Sequence, residues 1–315
     1  MAEVPITDRQ LLFVTGKGGV GKTTIAAALA RASRDAGQRT LVAEVTSDVS
    51  ARSHLLGHFG VATAARGEEP IKLGPNLDGV RITPSIGHRL FLRAALRVGM
   101  LADAAMRSAA LNRFLMAAPA FPEIGTLYQL VWLLRRQEYE KIVIDLPATG
   151  HALGLAKLPR TVSRVVPMGL IKEAITEGLA IMTDPKRTGA VVATLPESLP
   201  VTEAFELARG LEELEVPVGA LVLNRMPANP FTEEERKMLD DHIRQRRGEL
   251  LLGTRELRRL ERALEARETF REAPLASAKL AELPVYEGRW SKVIEQVAGG
   301  LAEAGVAPSR EEVSS

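Results

Sequence analysis

Short apolar runs alternate with longer stretches whose apolar residues recur every three or four positions. The runs at residues 10–15, 40–45, 80–83, 141–145, 189–194 and 219–224 are the clearest strands. Most lack the polar–apolar alternation of a half-exposed strand, as expected where both faces of a sheet are covered. Strands separated by helical stretches predict βαβ units, and so an α/β fold built on a doubly wound, mainly parallel sheet. No comparable run occurs toward the C-terminal end, where Ala273-Pro274-Leu275 and Pro284-Val285 mark only short loop or edge segments.

Two stretches break this rhythm. Residues 85–137 are helical, apolar and rich in methionine, while residues 232–272 are a charged helical stretch with Gly248 and Gly253 as breaks. The expected organisation is a single domain over residues 1–315, with a helical subdomain inserted at 85–137 and a solvated helical hairpin at 232–272. Within the insertion, Leu92, Leu96 and Met100 fall at four-residue spacing beside an equally spaced row of Arg89, Arg93 and Arg97. Met106, Leu111, Phe114, Leu115, Met116 and Phe121 follow. Such deformable apolar side chains can pack on the sheet or receive a hydrophobic client or partner. The arginine row could instead meet a membrane surface or nucleic acid.

Composition narrows the classes. The 315 residues are 46% hydrophobic and 25% charged, enough to bury a large core. Lysine and arginine number 41 against 39 acidic residues, a net charge of +2 that gives no argument for nucleic acid. Aromatic residues are 4%, which argues against base-stacking platforms. With no cysteine, disulfides, thiolate metal sites and cysteine nucleophiles are excluded. The chain shows neither a leader-like start nor an apolar run of spanning length, so the expectation is a cytoplasmic protein without an integral membrane segment.

The sharpest chemical signal is Gly16-Lys17-Gly18-Gly19-Val20-Gly21-Lys22-Thr23, a glycine, four residues and then Gly-Lys-Thr. Glycines let successive backbone N–H groups curl toward one anionic centre. Lys22 can then reach the β- and γ-phosphates, and the Thr23 hydroxyl can ligate Mg²⁺. The loop, running through Thr24, follows an apolar strand and opens a helix whose positive end faces the phosphates. Residues 142–145, Ile-Val-Ile-Asp, form a strand ending in Asp145, a second candidate Mg²⁺ ligand. Asn224 ends another strand, and its amide can both accept from and donate to an adenine edge.

Lys17, directly after the first glycine, resembles the deviant Walker A lysine of the ATPases that include the arsenite pump, the tail-anchored-protein targeting ATPase, MinD and ParA. The segment Asp145-Leu146-Pro147-Ala148-Thr149-Gly150-His151 resembles switch II of the arsenite-pump and tail-anchored-targeting branch, with Ala148 as a small departure. Leu195-Pro196-Glu197 and Leu283-Pro284-Val285-Tyr286 are similar to loops that close the base pocket there. The resemblance spans most of residues 10–290. It implies an ATP- and Mg²⁺-dependent ATPase acting as a homodimer, or as a heterodimer with a paralogue. In such a dimer Lys17 crosses to the partner's nucleotide, Asn224 reads adenine and His151 senses the γ-phosphate. It also implies a hydrophobic client helix or a membrane-protein partner at the inserted helices.

Two departures matter. Thr46 stands where the family places the switch I aspartate that orients the attacking water; Asp48 is the candidate replacement and Glu44 the alternative. Without cysteine, neither thiolate metalloid binding nor a zinc-clamped dimer is available. The functional expectation is an ATP-hydrolysing dimeric switch. Its alternative is a nucleotide-gated scaffold or regulatory subunit with little turnover.

Overall fold

Residues 11–16 are buried along their whole length, and successive side chains point to opposite sides of the sheet: Leu11 and Phe13 join one core, Leu12 and Val14 the other. The computed structural model of the chain describes residues 4–47, 52–61, 68–96, 121–148, 153–154, 156–157, 170–246, 253–273, 275 and 277–309. Its strands are β1 (Leu11–Gly16), β2 (Thr40–Val45), β3 (Ile71–Gly74), β4 (Leu77–Ile82), β5 (Lys141–Asp145), β6 (Thr188–Thr194), β7 (Val218–Met226) and β8 (Lys279–Pro284). They form one sheet in the order β3-β4-β2-β5-β1-β6-β7-β8. Only β3, paired with β4, runs antiparallel among these neighbours. The doubly wound, mainly parallel α/β architecture follows from this order.

The described helices are α1 (Lys22–Asp35), α2 (His54–Gly57), α3 (Pro84–Leu96), α4 (Phe121–Arg135), α5 (Leu170–Met182), α6 (Ser198–Glu213), α7 (Glu233–Gln245), α8 (Thr254–Arg271) and α9 (Trp290–Glu303). One face of the sheet is covered by α1 and α9, through Ile25, Leu29, Ile294 and Leu301. The other is covered by α3, α4, α5, α6 and α8, through residues such as Leu90, Leu130, Ile175, Phe205 and Phe270. Helices on both faces oblige every central strand to be apolar on both sides, which is why those strands read as continuous runs.

Helix α3 starts where Thr83 Oγ1 accepts from the Ile86 N–H at 3.4 Å, with Pro84 in the first helical position. It crosses α4 so closely that a Cβ on Gly87 would lie 1.7 Å from the Gly125 carbonyl oxygen. The buried Gln129 of α4 ties this pair to the sheet, accepting from the Thr83 N–H at 2.9 Å and donating to the Arg81 carbonyl at 3.1 Å. Arg97, Met100, Met106, Leu111, Phe114, Leu115 and Met116 lie outside the described residues.

Strands β3 and β8 depart from the sequence expectation. In β8 only Ala281 and Leu283 are buried, because an edge strand contacts the core on one side and its partner on one edge. That leaves alternation too short to stand out as an apolar run. The strand expected at 80–83 begins at Leu77, three residues earlier, because pairing with β2 extends over the polar Asp78 and Gly79.

Candidate nucleotide site

The chain leaves β1 at Gly16 with φ +144, so close to β6 that a Cβ would lie 2.3 Å from the Ala193 carbonyl oxygen. Gly19 and Gly21 have φ of +84 and +96, left-handed backbone that favours glycine. Val20 between them is buried and anchors the loop in the α1 core, while the outer side of Gly18 and Gly19 is open. The turn ends at α1, whose first N–H groups have no partner within the helix and so face an incoming anion. Thr24 lies in that first turn.

Lys22 Nζ folds back across the loop and donates to the Lys17 carbonyl at 3.0 Å. Burial lowers the pKa of its ammonium, a shift opposed by the charge of Asp145. At the end of β5, Asp145 is buried and accepts a hydrogen bond from Thr23. Burial pushes its carboxyl up to about 6, against the pull of Thr23 and Lys22. Its Oδ1 is buried without a hydrogen-bond partner among the described residues. A hydroxyl and a carboxylate with a spare buried oxygen, beside a phosphate cradle, are the oxygen donors that a Mg²⁺ ion takes.

Lys17 does not face the cradle. Its Nζ lies 2.7 Å from Glu203 Oε1 of α6 in the same chain, with the two side chains 48% and 31% exposed. Asn224, at the end of β7, donates from Nδ2 to the Val20 carbonyl at 2.8 Å. The next residue, Arg225, adopts φ +61, and its Nη1 donates to the Gly19 carbonyl at 3.3 Å. Two side chains from one strand end thus clamp the loop from above. Asn224 also sets the space at Gly21, where a Cβ would lie 2.4 Å from its Nδ2.

On the other flank, Glu44 of β2 sits in register between Arg81 of β4 and Asp145 of β5. The buried Arg81 places Nε 3.4 Å from Glu44 Oε2, and the His54 N–H donates to Glu44 Oε1 at 3.2 Å. Oε1 is therefore hydrogen-bonded, while Oε2 is buried within ion-pair distance of Arg81 but makes no hydrogen bond among the described residues. Thr46 still follows the sheet, its N–H donating to the Ile82 carbonyl at 3.0 Å. Asp48, Thr149, Gly150 and His151 lie outside the described residues.

The structure thus brings Gly16, Lys17, Gly18, Gly19, Val20, Gly21, Lys22, Thr23, Asp145 and Asn224 to one end of the sheet, the carboxyl ends of its parallel strands. Glu203, Arg225 and Arg81 belong to the same neighbourhood and were not singled out from the sequence. Arg81 left a signal, a charge between the apolar Val80 and Ile82. Glu203 left none, because its partner is 186 residues away.

Comparison with known proteins agrees with this geometry. The anion-transporting ATPase family model matches residues 9–179, more than half of the chain. ATPase BagA of Mycobacterium tuberculosis is 29% identical over 249 residues, covering 74% of this chain and 70% of that protein. The arsenical pump-driving ATPase of Acidiphilium multivorum is 28% identical over 261 residues, covering 76% and 43% respectively. ATPase ASNA1 homolog 1 of Paramecium tetraurelia is 24% identical over 263 residues, covering 72% and 77%.

Proposed function

Since the chain belongs to the anion-transporting ATPase family, we propose that it is a Mg²⁺-dependent ATP hydrolase working as a nucleotide-switched dimer. The observation that carries this reading is the meeting of Lys22, Thr23 and Asp145 under a glycine loop, with the Asp145 carboxyl held beside Thr23. Backbone N–H groups of residues 18–23 and Lys22 bind the β- and γ-phosphates. Thr23 and Asp145 would hold Mg²⁺, which when bound neutralises charge on those phosphates. Asn224 steadies the loop through Val20 and offers its remaining amide groups to adenine. Lys22 exchanges the Lys17 carbonyl for phosphate oxygens as nucleotide enters.

In this reading Lys17 has two partners. Without nucleotide it pairs with Glu203 of its own chain; in the closed dimer it leaves Glu203 for the phosphates bound by the second subunit. An exposed pair is worth only about 0–1 kcal/mol, so the exchange meets little resistance. Asp48 positions the attacking water, and Gly150 and His151 report the phosphate state to the inserted helices. Those helices meet a hydrophobic client or membrane-protein partner. An arsenical pump-driving ATPase and an ASNA1 homologue among the relatives support a partner-coupled role. The absence of cysteine keeps thiolate metalloid binding out of it.

A second reading, a nucleotide-gated scaffold with little turnover, is favoured by the switch I flank. Thr46 replaces the expected carboxylate, and Glu44 is already committed to Arg81 and the His54 N–H. Equilibrium binding of a fluorescent ATP analogue separates the parts of the proposal. Wild-type binding that Mg²⁺ strengthens, and that Lys22→Ala and Asp145→Asn each weaken, is expected. Binding indifferent to both substitutions would contradict the site.

A further inference from the structure

Beside the P-loop, on the α6 and α8 side of the sheet, lies a cleft of about 670 Å³ that shares Leu195, Pro196, Glu197 and Arg225 with the nucleotide neighbourhood and extends from them along α8. One wall is α8, from which Arg255, Arg259 and Arg262 face it at i, i+4 and i+7, the spacing of a single helical stripe. Arg225 adds a fourth guanidinium from the end of β7. Two carboxylates, Glu197 and Glu256, share the lining, so the cleft is net cationic. Arg255 and Arg259 are exposed and make no ion pair or hydrogen bond among the described residues. Arg258, one residue away, by contrast pairs with Asp240 and Glu261. Arg262 donates from Nε to the Arg258 carbonyl at 3.2 Å, so the helix leaves Arg255 and Arg259 on the cleft open to a ligand.

The dimensions select the ligand. Seven residues of helix place the outer guanidinium stems about 10 Å apart, from a rise of about 1.5 Å per residue. A small carboxylate or a single phosphate group spans only one of them. Acidic side chains on alternate residues of an extended peptide stand about 7 Å apart and can meet two or three. The lip of the cleft is also apolar: Leu199 is 64% exposed there, beside Pro196 and Pro200. Exposed leucine suits a protein segment carrying both acids and an apolar residue. Among the described residues no aromatic side chain lines the cleft, and two carboxylates stand in its wall, which disfavours a nucleic acid strand.

We propose that this cleft docks an extended acidic segment of a partner protein. A segment seated there touches Arg225, which itself holds the Gly19 carbonyl, and the loop that leads into α6, which carries Glu203. The docked partner thus lies against both contacts that set the resting P-loop.

The test is fluorescence anisotropy of the full chain with a labelled peptide of alternating glutamate and leucine, without nucleotide, so that it fails or succeeds independently of the ATPase reading. Binding that weakens with added salt, and at least tenfold with Arg255→Glu/Arg259→Glu, is expected. Both residues are exposed, so the fold should persist, and circular dichroism checks this. Arg39→Glu, at the opposite end of the strands, should bind as the wild type does. Absence of binding, binding unchanged by the double reversal, or preference for a single-stranded oligonucleotide of equal charge would each overturn the proposal.

Discussion

At the scale of single residues, the site depends on a few contacts that substitutions can address one at a time. Glu203→Gln removes the in-chain partner of Lys17. Since that pair is exposed and worth at most about 1 kcal/mol, thermal stability should barely move. ATP-induced dimerisation, followed by sedimentation velocity, should need up to about fivefold less nucleotide. Weaker dimerisation would mean that Glu203 serves the dimer instead. Asn224→Ala deletes a buried hydrogen bond and leaves the Val20 carbonyl unpaired, which costs about 1–3 kcal/mol. The expectation is a lower Tm together with weaker ATP binding, because the same amide steadies the cradle. A drop in Tm with unchanged binding would reduce Asn224 to a packing role.

Lys141 supplies a pH dependence. It is buried at the start of β5, donating to the carbonyls of Thr7 (2.6 Å) and Arg9. Burial lowers its pKa from 10.5 to about 8, against the charge of Asp8. The unfolded chain therefore holds more protons than the folded one between about pH 8 and 10.5, and stability rises with pH across that window. Tyr139 is raised by burial and acts in the opposite direction, but only from about pH 10 upward. The urea midpoint should thus be higher at pH 9.5 than at pH 8, and the increase should shrink in Lys141→Met. An unchanged increase in that variant would assign it to other groups.

At the scale of elements, legibility followed burial and locality. The P-loop could be read because its glycines, lysine and threonine are consecutive, and β5 because both its faces are covered. The edge strand β8 could not, since only alternate residues meet the core. The Asn224 clamp on Val20 and the Lys17–Glu203 pair join residues far apart in the chain, so no local pattern announces them. Helix α7 illustrates a different independence. It buries no residue, yet it starts with a full capping box between Thr232 and Glu235. Thr232→Ala should cost about 1 kcal/mol within α7 alone. Hydrogen exchange in α7 should then quicken about fivefold while the global Tm stays put. A falling Tm would show α7 to be coupled to the core.

At the scale of the molecule, the parallel strands deliver the candidate nucleotide contacts among the described residues to one end of the sheet. Helices on both faces fix the strand ends relative to one another. This is the arrangement in which an open α/β sheet binds ligands beyond its carboxyl ends. Lys17 is turned to Glu203 and away from its own cradle, and in the proposed dimer it acts on the nucleotide of the second subunit. Turnover per chain should therefore rise with protein concentration in the range where dimers form.

The most direct test is phosphate release under saturating Mg-ATP, comparing the wild type with Lys22→Ala and Lys17→Ala. The account predicts wild-type turnover that falls roughly a hundredfold or more in Lys22→Ala, as expected when a group facing transition-state charge is lost. It also predicts a loss of concentration dependence in Lys17→Ala. Wild-type turnover that survives Lys22→Ala, or no turnover at any protein concentration despite Lys22-dependent ATP binding, would contradict it.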